Sequence, residues 1–325
     1  RLGPGAFDSI SGEVVKAILI SLSRGNTQAS DGGLFMSEEE GNLIRGVDVS
    51  DLRGAREKAQ AILGAEVKTV EQKKQLENPD ARVALDDSIH EILLLQYCNG
   101  LAGIQTGDYL RFGRNFWEIY SFENRWAFQH TTVKRTALFG GASQVLNWEH
   151  GNGELIRFVK ERLGDNTGAW IRGLEAFGEK GIIVNSMGKL EVTSYLGQLF
   201  DNNSALVFPS DQSLLPAIWC FCSSPEYNEA VRRIDQKLNV TNATLVKVPF
   251  DLEHWTRVAK EQYPNGLPKP YTNDPTQWIF HGSPCGSAFW DDNTKWTAVG
   301  EARIDDTVLQ IAVARLLGYQ WPAEL

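Results

Sequence analysis

Beyond Gly100 the chain is cut into short runs rich in β-branched and aromatic residues, at 181–184, 205–208, 217–221, 244–248 and 277–280. Clusters of Gly, Asn, Pro and Asp separate them. Runs of that length and punctuation predict strands. Helix signals fall in the intervals. Ser224 precedes Pro225, whose fixed φ suits the first turn of a helix, and Tyr227, Ala230, Val231, Ile234 and Leu238 form one apolar stripe. Asp251 is placed to cap the next helix, with Phe250 and Trp255 at hydrophobic-staple spacing. Thr307 caps a last helix over 308–317, which Gly318 stops. Repeated switching between the two periods predicts a mixed α/β (α+β) fold of short mixed sheets and packed helices.

The first hundred residues read differently. Residues 13–23 are a nearly continuous apolar and β-branched run, expected to be a buried strand. Residues 25–33 follow as a loop and 42–49 as a partner strand. Ser50 or Asp51 can cap a helix to about Leu63, and Thr69-Val-Glu-Gln72 has capping-box spacing for a second helix that ends before Asn78-Pro79. A third helix is expected over 86–97. The predicted organisation is therefore a terminal strand segment over 1–48, a helical connector over 49–100, and a larger α/β domain over 101–325, in which the proline-rich stretch 267–275 is an irregular loop.

Composition excludes several classes. The 325 residues carry a formal net charge of −9, with 42% hydrophobic and 22% charged residues, so the chain is neither disordered nor fibrous. No apolar run approaches the roughly 20 residues of a membrane span, and no basic-then-apolar leader marks secretion. The four cysteines (Cys98, Cys220, Cys222, Cys285) form no CxxC pair, so reduced thiols of a cytoplasmic protein are expected rather than a disulfide framework or zinc site. Cys220 and Cys222, alternating along an expected strand, would point the same way. Phosphate-loop, dinucleotide, HExxH and GxSxG motifs are all missing. The five histidines are scattered. His281, near Asp274 and Ser283, offers only a weak hydrolase reading. No catalytic residue and no metal ligand is assigned.

Residues 100–118 (GLAGIQTGDYLRFGRNFWE) carry more information. Thr106-Gly-Asp108 signals a turn, and Arg111 and Arg114 interleave with Phe112, Phe116 and Trp117. From Gly100 to Thr136 five basic residues (Arg111, Arg114, Arg125, Lys134, Arg135) stand against three acids (Asp108, Glu118, Glu123), a positive island on an acidic chain. Phosphates need guanidinium and ammonium partners, and unstacked bases need flat rings. The plainer reading is that the rings are core and the arginines cover it. Among the ten tryptophans, Trp219 reads as core, whereas Trp148 and Trp170 border polar stretches and are the better contact candidates.

An ordered series runs through the chain: Gly5-Ala-Phe7, Ile10-Ser-Gly-Glu-Val-Val15, residues 100–107 with Asp108 and Phe112, Phe116-Trp-Glu118, Phe139-Gly-Gly141, Asn147, Leu214-Leu-Pro-Ala-Ile-Trp219, Ser224-Pro-Glu-Tyr227 and Asp274-Pro-Thr-Gln277. In order and spacing it resembles the carboxy-terminal part of the large adenine-N6 DNA methyltransferases of type IIG restriction–modification and of BREX- and DISARM-like phage defence. The resemblance implies that residues 1–48 are the last strands of a Rossmann-like methylase sheet and that 101–325 form a DNA target recognition domain. It implies S-adenosylmethionine as the cofactor of the parent enzyme, with none held by this chain. Neither the cofactor's glycine-bearing loop nor an Asn-Pro-Pro-Tyr/Phe loop is present, so the chain alone is expected to be inactive. Arg1, in place of Met, fits an excerpt of a longer polypeptide.

On the same resemblance, Phe7 stacks on the flipped adenine, with the alternative that it anchors a strand end. Double-stranded DNA is the implied partner, together with the methylase domain of the same polypeptide. The implied DNA-facing residues are Thr106, Asp108, Arg111, Arg114, Arg125, Lys134, Arg135, Ser143, Gln144 and Asn147, with His150 and the loop 185–189 as further candidates. The alternative function is a protein-interaction scaffold of a defence complex that reads no bases.

Overall fold

A computed structural model describes residues 42–50, 54–76, 92–119, 122–235, 237–270, 287–291, 296–300 and 307–318, with a few isolated positions besides. Phe7, most of the strand expected over 13–23, the run 277–280, His281 and Cys285 lie outside the described residues. Two compact units form: residues 1–91 with 235–238, and residues 92–234 with 239–325.

In the first unit β1 (Leu43–Gly46) pairs antiparallel with β2 (Lys68–Glu71), Ile44 opposite Val70. Helix α1 (Ala55–Gly64) lies between them in sequence and starts later than Ser50 or Asp51 would have placed it, at Gly54. Lys58 of α1 is buried, and its Nζ donates to the carbonyls of Val49, Ser50 and Leu2 at 3.0, 3.3 and 2.6 Å. The second helix expected from Thr69 is instead β2 followed by a 3-10 turn, Lys73–Leu76. Pairing with β1 outweighs the weak local capping signal.

The second unit is built on two four-stranded sheets. In the first, β3 (Cys98–Ala102), β7 (Gly181–Asn185), β8 (Val192–Tyr195) and β10 (Ser204–Pro209) lie in the order β3-β10-β7-β8, all antiparallel. Its strands alternate with period two, and β7, β8 and β10 bury both faces. Ile182, Val184, Ala205 and Val207 face one core, whereas Ile183, Leu206 and Tyr195 face another with Phe200. The first core is closed by α4 (Leu215–Cys222), α5 (Pro225–Ile234), α6 (Asn242–Leu245) and α7 (Leu252–Gln262).

Two of these helices correct strand expectations. Residues 217–221 are α4, and every residue from Ala217 to Cys222 is buried. A helix that is apolar all round is a core helix, and so short an apolar run has no period to separate it from a strand. Cys220 and Cys222 thus lie on a helix. They are free thiols, as is Cys98, and burial pushes Cys98 up to about 12 and Cys220 up to about 11. Residues 242–245 are α6, entered from Thr241. The expected caps hold elsewhere: Ser224 Oγ accepts from the N–H of Tyr227 at 3.4 Å, and Asp251 Oδ1 from that of His254 at 2.9 Å.

The second sheet has the order β4-β6-β5-β9, from β4 (Gly113–Asn115), β6 (Gln144–Asn147), β5 (Trp126–His130) and β9 (Leu199–Phe200). Only the β5–β9 pair is parallel. Leu146 faces a core made with Phe112 and with Leu155, Phe158 and Val159 of α3 (Glu154–Leu163). Its neighbour Val145 faces the opposite way, onto Phe116, Ile119 and Ala314 of α8 (Thr307–Leu316). Strands β11 (Ser287–Asp291) and β12 (Trp296–Gly300) form a separate antiparallel pair. The fold is mixed α/β. No helix among the described residues is long and apolar enough to cross a membrane.

Candidate nucleic-acid interface

The Gly-Asp turn leads from β3 toward the second sheet. Gly103 is demanded by packing, since a Cβ there would sit 2.3 Å from the Asp201 carbonyl oxygen. Gly107 has φ of 70°, and its Cβ would strike the Trp170 ring at 2.3 Å. Asp108 then caps the short helix α2 (Tyr109–Phe112), its Oδ1 accepting from the N–H of Arg111 at 3.3 Å.

The turn delivers Arg111 to the first residue of α3. Its Nε donates to Glu154 Oε1 at 3.0 Å, and a second, shorter bond runs from its Nη2 to the same oxygen. The guanidinium carbon lies 5.0 Å from the Phe112 ring centre and 5.2 Å from that of Phe158, which Arg162 approaches from 4.7 Å. The Arg111 side chain remains 47% exposed, enough for its outer edge to meet a ligand. The Glu154 carboxyl is held below its usual range, first by the hydrogen bond from Arg111, then by the Arg111 charge, with Arg125 and Arg157 adding to it. Arg111 bonds this carboxylate directly, whereas Arg125 and Arg157 act on it through charge alone.

Arg125, exposed immediately before β5, sits 5.7 Å from the Trp126 ring centre, and its Nε donates to Asn147 Oδ1 at 3.2 Å. Because Trp126 pairs with Asn147 in the β5–β6 register, this contact follows directly from the sheet. Lys134 and Arg135 are exposed on the segment after β5. That segment is pinned by Asn185, whose Oδ1 accepts from the N–H of Val133 at 2.9 Å and whose Nδ2 donates to the Val133 carbonyl at 2.7 Å.

Several expected contact residues are placed otherwise. Asn147 is 2% exposed and Thr106 8%, so neither presents an edge to a duplex; Asn147 holds Arg125 instead. Asn185, at the head of the loop 185–189, is likewise buried and structural. Arg114 is half-buried and donates to the carbonyls of Leu110 and Gly113, both at 2.6 Å, which commits it to the backbone. The carbonyl of half-buried Ser143 accepts from the N–H of Phe116 at 3.0 Å. Gln144 pairs with Gln129 across β5 and β6, and its buried Oε1 and both amide atoms of Gln129 have no hydrogen-bond partner among the described residues. Trp170 packs into the α3 core. Glu154 and Arg157 were not singled out by sequence; the available signal was their i,i+3 spacing at the start of an amphipathic helix. Among the described residues no group of three His, Cys, Asp or Glu side chains is placed to hold a metal ion.

No protein-family model matches the chain, and no curated protein matches it. Among solved structures, the chain is similar to the Type IIL restriction-modification enzyme MmeI in complex with DNA, at 12% identity and a TM-score of 0.37, over 66% of this chain and 33% of that one. The chain thus spans about a third of that enzyme's length. A likeness at this level assigns neither fold nor function.

Proposed function

We propose that the chain is the DNA-recognition portion of an adenine-N6 methyltransferase and binds duplex DNA site-specifically. The observation that carries the reading is the set of exposed cations Arg111, Arg125, Lys134 and Arg135, with Arg111 held by Glu154 and Arg125 by Asn147, on a chain of net charge −9. Exposed guanidinium groups held by fixed partners meet phosphates without further ordering, and they also read guanine edges in the major groove. The ordered series of motifs through the chain supports the same family. Because the sequence has neither the S-adenosylmethionine loop nor an Asn-Pro-Pro-Tyr/Phe loop, no methyl-transfer step is assigned to these residues.

The test is duplex binding measured as a function of salt. Affinity should fall linearly on a log–log plot, with a slope of about −0.9 for each phosphate neutralised. Arg111→Ala and Arg125→Ala should each weaken binding and flatten that slope by about one. Selection from a random duplex pool should return a consensus. Absence of duplex binding at low salt would favour the protein-interaction scaffold.

A further inference from the structure

Beside Arg125 a pocket of about 420 Å³ opens in the second unit. Its lining includes Trp148 and Phe177 together with Arg125, Trp126, Glu149 and His150, the Trp126 side chain packing toward Phe116 and Val145. Its volume falls within the roughly 300–1,000 Å³ of small-ligand sites. Trp148, expected from sequence to be an exposed contact, is instead 9% exposed, and its backbone N–H donates to the Arg125 carbonyl at 2.9 Å. Phe177 is 54% exposed and Leu174, also on the wall, 41%. The wall next to Trp148 is a turn in which Glu149, His150 and Gly151 take φ of 45°, 54° and 76°. Two side-chain-bearing residues in succession there are uncommon, and such backbone concentrates at functional sites.

We propose that this pocket binds a single unpaired nucleobase, carried on a nucleoside monophosphate unit. Phe177, 54% exposed, supplies the π face on which a base stacks. A base edge also needs both a donor and an acceptor opposite it. Arg125 provides N–H groups. Glu149 provides a carboxylate whose Oε1 accepts from the N–H of Glu154 at 3.5 Å, which leaves Oε2 for an amino group. The His150 imidazole can serve in either sense. An aromatic protein side chain would fill the space but would leave these charged groups without use. The 5′-phosphate is drawn by Arg125. The pocket does not depend on the duplex reading, and either can fail alone.

The probes are dAMP, dGMP, dCMP and TMP, titrated into the full chain and followed by saturation-transfer NMR and calorimetry. Base protons of at least one nucleotide should receive saturation. Phe177→Ala should weaken that nucleotide by roughly five- to a hundredfold, the range for loss of one stacked ring. Phe177 is more than half exposed, so the variant should melt with the parent. Arg125→Gln, which keeps the chain length and removes the charge, should also weaken binding, and it decides the matter if Phe177→Ala does not fold. No saturation transfer at millimolar nucleotide, or affinities unchanged in the folded variants, overturns the inference. Duplex binding measured in parallel shows whether only the pocket reading has failed.

Discussion

Asn147 holds Arg125 from beneath: its Oδ1 accepts from the arginine Nε at 3.2 Å, and the amide is 2% exposed where the guanidinium reaches solvent. Such a buried partner restricts an exposed cation before any ligand arrives, lowering the ordering cost of binding. A double-mutant cycle on Arg125→Ala and Asn147→Ala should therefore be non-additive. In denaturant unfolding the coupling should be about 1 kcal/mol, the net value of one such hydrogen bond. In duplex binding, Asn147→Ala should weaken affinity in the Arg125 background and do little once Arg125 is gone. Full additivity in both readouts would remove the positioning role.

Glu154 sets the charge of the same face. Its carboxyl is held below the ordinary range by Arg111 first, then by Arg125 and Arg157. The ion pair is fully formed above the ordinary carboxylate value and is lost only as pH falls through the lowered one. Glu154→Gln removes the negative charge while keeping a side chain able to accept from Arg111. Duplex affinity should rise, and the magnitude of its salt slope should grow by up to about one, since one more cation is free to displace counterions. An unchanged or smaller slope in this variant would place the duplex elsewhere.

What the sequence discloses of this fold is what is local. Ser224 and Asp251 are legible as caps because a side-chain oxygen bonds a backbone N–H within three residues. Gly318, with φ of 89°, is legible as a stop because a left-handed backbone, which glycine adopts without a Cβ clash, ends a helix locally. The strand-for-helix error at 217–221 has a physical origin: Ala217–Cys222 is buried on every side, so burial leaves no period to read. The site divides the same way. Arg111, Arg125, Lys134 and Arg135 stand out by charge along the chain, but Glu154 meets Arg111 from 43 residues away. The burial of Asn147 requires the β5–β6 register, which no local pattern specifies.

His130 offers a titration that reports on the second unit as a whole. It is completely buried in β5, its Nε2 lies 3.0 Å from Gln198 Oε1, and its Nδ1 has no hydrogen-bond partner among the described residues. Burial lowers its pKa from 6.5 to about 4, and the Gln198 hydrogen bond opposes this more weakly. The folded value lies below the unfolded one, so the contribution to stability is complete above the unfolded value. As pH falls below it, the unfolded chain takes up the proton first and stability declines, until the buried ring is itself protonated near the folded value. From about pH 7.5 to about pH 5 this one group should remove about 2 kcal/mol, at 1.36 kcal/mol for each pH unit below the unfolded value. Denaturant unfolding at those two pH values gives the difference directly. His130→Gln keeps a polar side chain of similar reach and does not titrate. Whatever its absolute stability, its loss between the two pH values should be smaller than the parent's by about that amount. An equal loss in both proteins would show that other groups carry the acid sensitivity.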